Sequence, residues 1–362
     1  MNKQSGADVT ILHYSGGTWD GSGVHAVIRQ LAPAMRVRSI LGVSPGFEPR
    51  QLPRLKVWRG PAVEADAITL GNAWAAAQVA WRVGRWLRRG KGRVFHGHTR
   101  AGLLVALWLA AVGARRVVAT VHVYGRQRWF YRIAHRVLGE RLVWLTPAMK
   151  MHYGVGDLSW AGCMPNGLAL EQAAAFKPWP GGRPLRVGGA GMLTGWKRWD
   201  LVLQALALEG GQGVEFFHIG GGEGTAETEA CGRALRNLAE RLGVAARVHW
   251  LGWQPSSAAL LQQVDVVVVP SDGEPFSMIA LEALFAGVPV LATRGGGPED
   301  FIVPGRNGWL VPAGDAAALA AALAQCGTPE AWAHLRQDEA GMRRFSVKAT
   351  LADRWERFYE DL

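Results

Sequence analysis

The sequence predicts an α/β protein made of two doubly wound domains, each a parallel sheet clothed in helices. Three observations carry this. Short β-branched runs alternate with helical runs along the whole chain. The strongest strand candidate, "VDVVVVP" (Val264–Pro270), is continuously apolar, as strands buried on both faces are. The 362 residues exceed what one compact core usually holds, and "FKPWPGGRP" (Phe176–Pro184) interrupts them as a linker would.

Taken in order, the strand candidates of the first half are Asp8–Ser15, Arg36–Ser44, Arg54–Gly60, Arg93–His98, Arg115–His122 and Arg141–Thr146. Those of the second half are Pro184–Gly191, Val214–Gly222, Arg247–Trp253, Asp265–Ser271, Pro289–Gly295 and Gly308–Pro312, again mostly with helices between. Phe345–Leu362 reads as a last helix that returns to the first domain. The expected domains are therefore 1–178 completed by 345–362, and 179–344.

Composition narrows the function. Hydrophobic content of 49% against 19% charged residues excludes a disordered chain. Lys and Arg total 40 against 29 Asp and Glu, and the resulting +11 suits an anionic partner: a nucleotide, a phosphorylated substrate, nucleic acid or an anionic membrane face. Cys163, Cys231 and Cys326 are few and scattered, so neither a disulfide framework nor a zinc site is expected, and a reducing, cytoplasmic setting follows. The polar Met1–Asp8 does not read as a signal peptide. Ala101–Ala114 falls short of the ~20 residues that span a bilayer and reads as a buried helix.

Ligands of doubly wound sheets bind at the carboxyl ends of strands. The residues expected there are Gly16–Gly23, His98, His122, Gly220–Gly224, Glu274 and Gly295–Gly297. The stretch "SDGEPFSMIALEALFAGVPV" (Ser271–Val290) is the richest. Ser277 is a good N-cap, and the first-turn amides of Ser277, Met278 and Ile279 would bind an anion. Glu282, on the second turn, could accept both hydroxyls of a ribose. Glu274, in the loop before the helix, could reach a sugar beyond the phosphates.

The region from Val264 to Asp315 resembles the signature of retaining glycosyltransferases of the glycosyltransferase family 4 type. Its marks are a strand ending in Pro-Ser, a Glu-x7-Glu element followed by Ala283, then "GVPV" and "GGGPED". "FFHIGGGEGTAETEACGRALRNLAERLGVAARVHWLGW" resembles the preceding block, and "MPNGL" (Met164–Leu168) the end of the family's N-terminal domain. The resemblance implies a GT-B fold, two Rossmann-like domains with an interdomain cleft, and a nucleotide-diphosphate sugar as donor. It places Glu282 on the ribose, Glu274 on the donor sugar, and backbone amides near Phe276–Met278 against the donor. Gly220 and Gly222 join the donor side. Lys197 matches a diphosphate-gripping lysine, but Met192 stands where the family has an arginine, with Arg198 as the candidate replacement. Gly23 matches one glycine of a phosphate-approaching pair whose other member is Ser22 here. His122 would meet the transferred sugar and its phosphate.

His96 and His98 would share one face of their strand. Without an evident third ligand they predict no metal, and His98 and Arg100 are expected to line the cleft. Glu299 is expected to cap the helix after the glycine turn, and Gly295–Gly297 to let backbone approach the donor sugar. Dinucleotide fingerprints fail at Thr225 in "GGGEGT" and at Thr194 in "GAGMLT", and no Walker A loop occurs.

Asn72–Arg93 reads as one helix and a basic turn. Ala76, Val79, Ala80, Val83, Trp86 and Leu87 make its apolar stripe, with Trp74, Gln78, Trp81, Arg85 and Arg88 opposite. Tryptophan beside arginine on an outward face suits an anionic leaflet, and Tyr124–Arg141 repeats the theme. The expected protein is thus a metal-independent, cofactor-free retaining glycosyltransferase, peripheral on the inner face of the cytoplasmic membrane. Its partners would be a nucleotide sugar, a glycan or glycolipid acceptor and the membrane surface, not nucleic acid. Alternatives are a non-catalytic sugar-nucleotide-binding protein and an enzyme of the same fold with a soluble acceptor.

Overall fold

The computed structural model describes residues 9–17, 23–47, 55–64, 69–221 and 225–362. The chain divides into two compact units, Met1–Glu171 with Arg343–Leu362, and Gln172–Met342.

Unit 1 runs β1 (Thr10–Tyr14), α1 (Gly23–Leu31), β2 (Arg38–Val43), β3 (Lys56–Arg59), α2 (Leu70–Arg88), β4 (Arg93–Gly97), α3 (Arg100–Ala111), β5 (Val117–Val121), α4 (Arg128–Leu138), β6 (Leu142–Trp144) and α5 (Pro147–Tyr153). Unit 2 runs β7 (Leu185–Ala190), α6 (Trp199–Ala207), β8 (Val214–Ile219), α7 (Ala226–Arg241), β9 (Val248–Trp250), α8 (Ala258–Gln263), β10 (Val266–Val269), α9 (Met278–Phe285), β11 (Val290–Thr293), β12 (Gly308–Val311), α10 (Ala316–Cys326), α11 (Pro329–Ala333) and α12 (Glu339–Met342). A single π turn, Val347–Leu351, then leads into α13 (Ala352–Glu360), which belongs to unit 1.

Among the described residues, each unit carries a six-stranded sheet, ordered β3-β2-β1-β4-β5-β6 and β12-β11-β10-β7-β8-β9. Every pairing is parallel. Strand order therefore reverses between β1 and β4 in one unit and between β7 and β10 in the other. These are the positions where a doubly wound sheet opens a crevice at its carboxyl edge. The two doubly wound domains expected from the sequence are present, and each of the twelve strand candidates contributes a strand.

Local chemistry explains the helix starts. Thr69, Thr99, Thr146 and Thr225 each accept a hydrogen bond from an amide three residues on, capping α2, α3, α5 and α7. Pro147 opens α5 and the left-handed Gly154 closes it. In unit 1, Ile11, Val94, Val118 and Val143 pack against Val347, Leu351, Trp355 and Tyr359, so α13 seals one face of the sheet. In unit 2, Val187, Phe216, Val266, Val268 and Leu291 share a core with Leu203, Leu206, Leu319 and Leu323. No helix among the described residues is long and apolar enough to cross a membrane.

Candidate active site

In unit 2, the loops that leave β7 and β10 meet at the point of strand reversal. Lys197 ends a short 3-10 turn before α6, and its Nζ lies 2.7 Å from Oε2 of Glu274. The side chains are 14% and 10% exposed, so this is a largely desolvated ion pair. Ser271, which the sequence reading passed over, donates its hydroxyl to the same Glu274 oxygen at 3.0 Å. Thr293 of β11 anchors the loop by donating to the Ser271 carbonyl at 2.7 Å. Lys197 Nζ also sits 4.3 Å from the ring centre of Trp196.

Arg198 follows in the left-handed conformation, with φ 54°. It was expected to stand in for the arginine missing at Met192, but its guanidinium is already committed. It contacts both carboxylate oxygens of Asp200 at 3.1 Å and Asp272 at 3.0 Å. The same two acids hold its proton affinity above the ordinary arginine value. Two carboxylates neutralise it, so it offers little net charge to a phosphate.

Ser277 has the outlying φ of 70° and caps α9 by accepting from the Ala280 amide at 3.4 Å. A serine held there costs on the order of 1–3 kcal/mol, and such strain gathers at sites where the backbone must point in a set direction. Phe276 is buried against Phe301. Met278 opens the helix. Glu282 is partly buried, and Ser257 donates to its Oε2 at 2.5 Å. Burial pushes the Glu282 carboxyl above its ordinary value, and the Ser257 hydrogen bond offsets part of that.

The glycines serve packing more than was expected. A Cβ on Gly296 would lie 2.3 Å from the Glu274 carbonyl oxygen, and one on Gly297 would lie 2.2 Å from that of Pro275. Gly297 donates its amide to the Glu274 carbonyl at 2.7 Å. These two positions seat the Glu274 loop, and of the three glycines 295–297 only Gly295 has open space around it. Gly220, at φ 108°, permits the same closeness between the ends of β8 and β7, since a Cβ there would lie 2.2 Å from the Gly191 carbonyl oxygen. Glu299 caps no α-helix. It lies in the 3-10 turn Gly297–Asp300 and accepts from the Gly295 amide and from Arg294. Gly222 lies outside the described residues. His218 on β8 is a further residue the sequence reading missed. It is buried with no partner for Nε2 among the described residues, and burial, then Lys197 and Arg236, push its pKa down to about 3.

Unit 1 gathers histidines at its own reversal point. His98 is 3% exposed and lies between His13 and His122. His98 was expected to line the cleft, and it is buried among its neighbouring histidines. Residues two apart on a strand share a face, and this face is the one covered by α13. His96 and His98 do share it, with ring centres 3.9 Å apart. His13 supplies the third imidazole that the sequence did not reveal, all three offering nitrogens within 4.8 Å of one another. His122 follows β5 and is partly exposed, and burial lowers its pKa to about 4. Arg100 is partly buried and donates to the Tyr131 hydroxyl at 2.9 Å. Gly23 is the exposed first residue of α1, while Ser22 lies outside the described residues.

Trp74 and Trp81 are 69% and 61% exposed on α2, and Arg85 stacks 4.9 Å from the Trp81 ring centre. Arg88 is exposed on the same helix. The helix α4 extends the pattern: Trp129, Ile133 and Val137 form an exposed apolar stripe at four-residue spacing, beside exposed Arg128, Arg132 and Arg136.

Comparison with known proteins agrees with this architecture. The chain is 43% identical over 91 residues to the lipopolysaccharide core biosynthesis glycosyltransferase LpsE of Rhizobium meliloti, covering 25% of this chain and 27% of that protein. It is 28% identical over 333 residues to the phosphatidyl-myo-inositol mannosyltransferase of Mycobacterium leprae, covering 83% and 82%. Thus the aligned part spans only about a quarter of LpsE, but most of the mannosyltransferase. Among solved structures, Anabaena HepE in complex with UDP and glucose superposes with a TM-score of 0.76 at 20% identity, over 98% of this chain and all of that one. The lipopolysaccharide outer core galactosyltransferase WaaB follows at 0.73 and 18%, over 98% and 99%. These likenesses show a shared GT-B fold. Residues 185–328, which hold β7 to β12 and the Lys197–Glu274 pair, match the glycosyl transferases group 1 family.

Proposed function

We propose that this chain is a retaining glycosyltransferase that moves a sugar from a nucleotide-diphosphate sugar to a lipid-linked or cell-envelope glycan acceptor. The observation that carries the reading is the desolvated Lys197–Glu274 pair at the strand reversal of unit 2, beside the capped start of α9. A diphosphate on the amides at Ser277–Ile279 would draw Lys197 from Glu274, and the freed carboxylate would accept hydroxyls of the donor sugar. Glu282 takes the ribose. As the bond from the anomeric carbon to the phosphate breaks, negative charge grows on the diphosphate, and Lys197 and the helix start stabilise it. The acceptor hydroxyl bonds to the anomeric carbon on the same face and gives its proton to the departing phosphate. No protein nucleophile and no metal ion are required by that scheme. His122 is the proposed contribution of unit 1 to the reaction. The family match over 185–328 and the UDP complex of HepE support a nucleotide-sugar donor.

The acceptor and the location follow from α2 and α4. Exposed tryptophans and arginines together suit the headgroup region of an anionic leaflet, where each Lys or Arg contributes about 1 kcal/mol. The proposed setting is cytoplasmic, peripheral on the inner face of the membrane. LpsE and the mycobacterial mannosyltransferase, whose names refer to lipid-bearing glycans, support it.

Incubation with UDP-, GDP- and ADP-sugars and a membrane extract, with and without chelator, tests the reading. Transfer with retained anomeric configuration, insensitive to chelator and lost in Glu274→Ala and Lys197→Ala, is expected. Wild-type rates in either variant refute the assigned roles. Met192, in place of a second cation, favours a second reading as a non-catalytic sugar-nucleotide-binding protein. Tight donor binding with neither transfer nor donor hydrolysis would establish that one.

A further inference from the structure

The histidines of unit 1 form a connected chain. His13 Nδ1 lies 3.0 Å from His98 Nε2, and His98 Nδ1 lies 3.2 Å from His122 Nε2. His13 and His98 are 0% and 3% exposed, whereas His122 reaches the surface. Beside them runs a closed side branch, in which His96 contacts the Tyr359 hydroxyl and Thr120 Oγ1, each at 2.7 Å. Burial lowers the pKa of His13 and His122 to about 4, and burial with neighbouring histidine charges takes His96 and His98 well below the ordinary value. All four rings are therefore neutral at neutral pH.

A neutral imidazole has one N–H and one bare nitrogen. Both nitrogens of His98 face other imidazoles, so it donates one bond and accepts the other. Two arrangements alone satisfy both N···N bonds, since a mixed one sets two bare nitrogens or two N–H groups against each other in a buried place. In the first, His13 and His98 donate from Nδ1, and His122 accepts at Nε2 and carries its own proton on Nδ1. In the second, every proton sits on Nε2, and His122 Nδ1 is bare.

We propose that His98, oriented by His13, is a positioning residue that holds His122 in the Nδ1–H form, so that His122 presents a neutral hydrogen-bond donor. This rests on the transferase reading for its purpose, because oxygens of a sugar or phosphate call for a donor. The choice of the first arrangement rests on that reading, whereas the chain of hydrogen-bonded rings does not. The three-histidine group His13, His96 and His98 also has the proximity of a metal site. However, its nitrogens are taken up in hydrogen bonds with rings and hydroxyls, which favours the chain.

Nitrogen NMR of histidine-labelled protein at neutral pH, assigned by loss of signal in His122→Gln, distinguishes the forms. A single Nδ1–H tautomer is expected for His122 in the wild type. His98→Phe is expected to convert it to a mixture and to lower kcat about 10- to 100-fold with donor KM little changed. His98→Gln, whose amide both donates and accepts, should restore much of both. An Nε2–H or mixed His122 in the wild-type protein overturns the proposal even if every variant misfolds. So does an unchanged tautomer in His98→Phe, or a stoichiometric metal bound to the three histidines in the purified protein. Absence of transfer with an intact Nδ1–H signature would instead overturn the transferase reading and leave the chain standing.

Discussion

Lys197→Met removes one partner of the ion pair that joins the β7 and β10 loops. Glu274 is only 8% exposed, and it would be left with the Ser271 hydroxyl as its remaining side-chain donor. Removing one partner from a buried pair typically costs about 3–5 kcal/mol, because the other charge stays desolvated. The surviving Ser271 bond favours the lower end. For a unit of this size, 1 kcal/mol moves the melting temperature by about 2–4 °C, so a loss of about 3 kcal/mol lowers it by roughly 6–12 °C. Glu274→Gln should cost less, since a lysine on its flexible stem can turn to water whereas a carboxylate on a seated loop cannot. The double variant should recover much of the loss, giving a coupling of about 1.5 kcal/mol or more. Calorimetric melting of the four proteins at neutral pH measures all three quantities. If Lys197→Met melts no lower than Glu274→Gln, or if the single losses simply add, the pair is not desolvated and the argument fails.

Other outcomes follow from the same geometry. Burial raises the Glu282 pKa, so ionising Glu282 costs more in the folded than in the unfolded chain. Its contribution to stability is full below the unfolded pKa and is lost as pH rises through the folded one. Glu282→Gln should therefore gain stability over wild type as pH rises above the carboxylate range, and match it in acid. A pH series of urea midpoints checks the sign, while calorimetry should show weaker nucleotide binding. Gly220→Ala places a Cβ against the Gly191 carbonyl at an unfavourable φ and should cost about 1–3 kcal/mol by thermal melting. Replacing Arg128 and Arg136 together by Gln should weaken salt-sensitive co-sedimentation with anionic vesicles while leaving the melting temperature within about 2 °C. Wild-type vesicle binding in that variant, or none in the native protein, removes the case for a membrane-facing α4.

Much of the site was legible because its signals are local. Ser277 announces a helix start by its own side chain, and α2 declares its buried and outward faces by a period of 3.6 residues. Val266–Val269 reads as a strand buried on both faces without reference to anything distant. What was missed depends on partners far along the chain. Arg198 looks like a free cation until Asp272, 74 residues away, is brought beside it. Gly296 and Gly297 look like an opening for a ligand until the Glu274 loop fills the space.

The sequence by itself determined the twelve strands, the doubly wound class and the residue types at the carboxyl ends, because periodicity, capping and turn chemistry act within a few residues. Tertiary structure alone decided that β10 lies beside β7 and β4 beside β1. That ordering pairs Lys197 with Glu274 across 77 residues and His13 with His98 across 85. Charge and proton sharing act over a few ångströms of space, and only the winding of the sheets brings such distant residues that close.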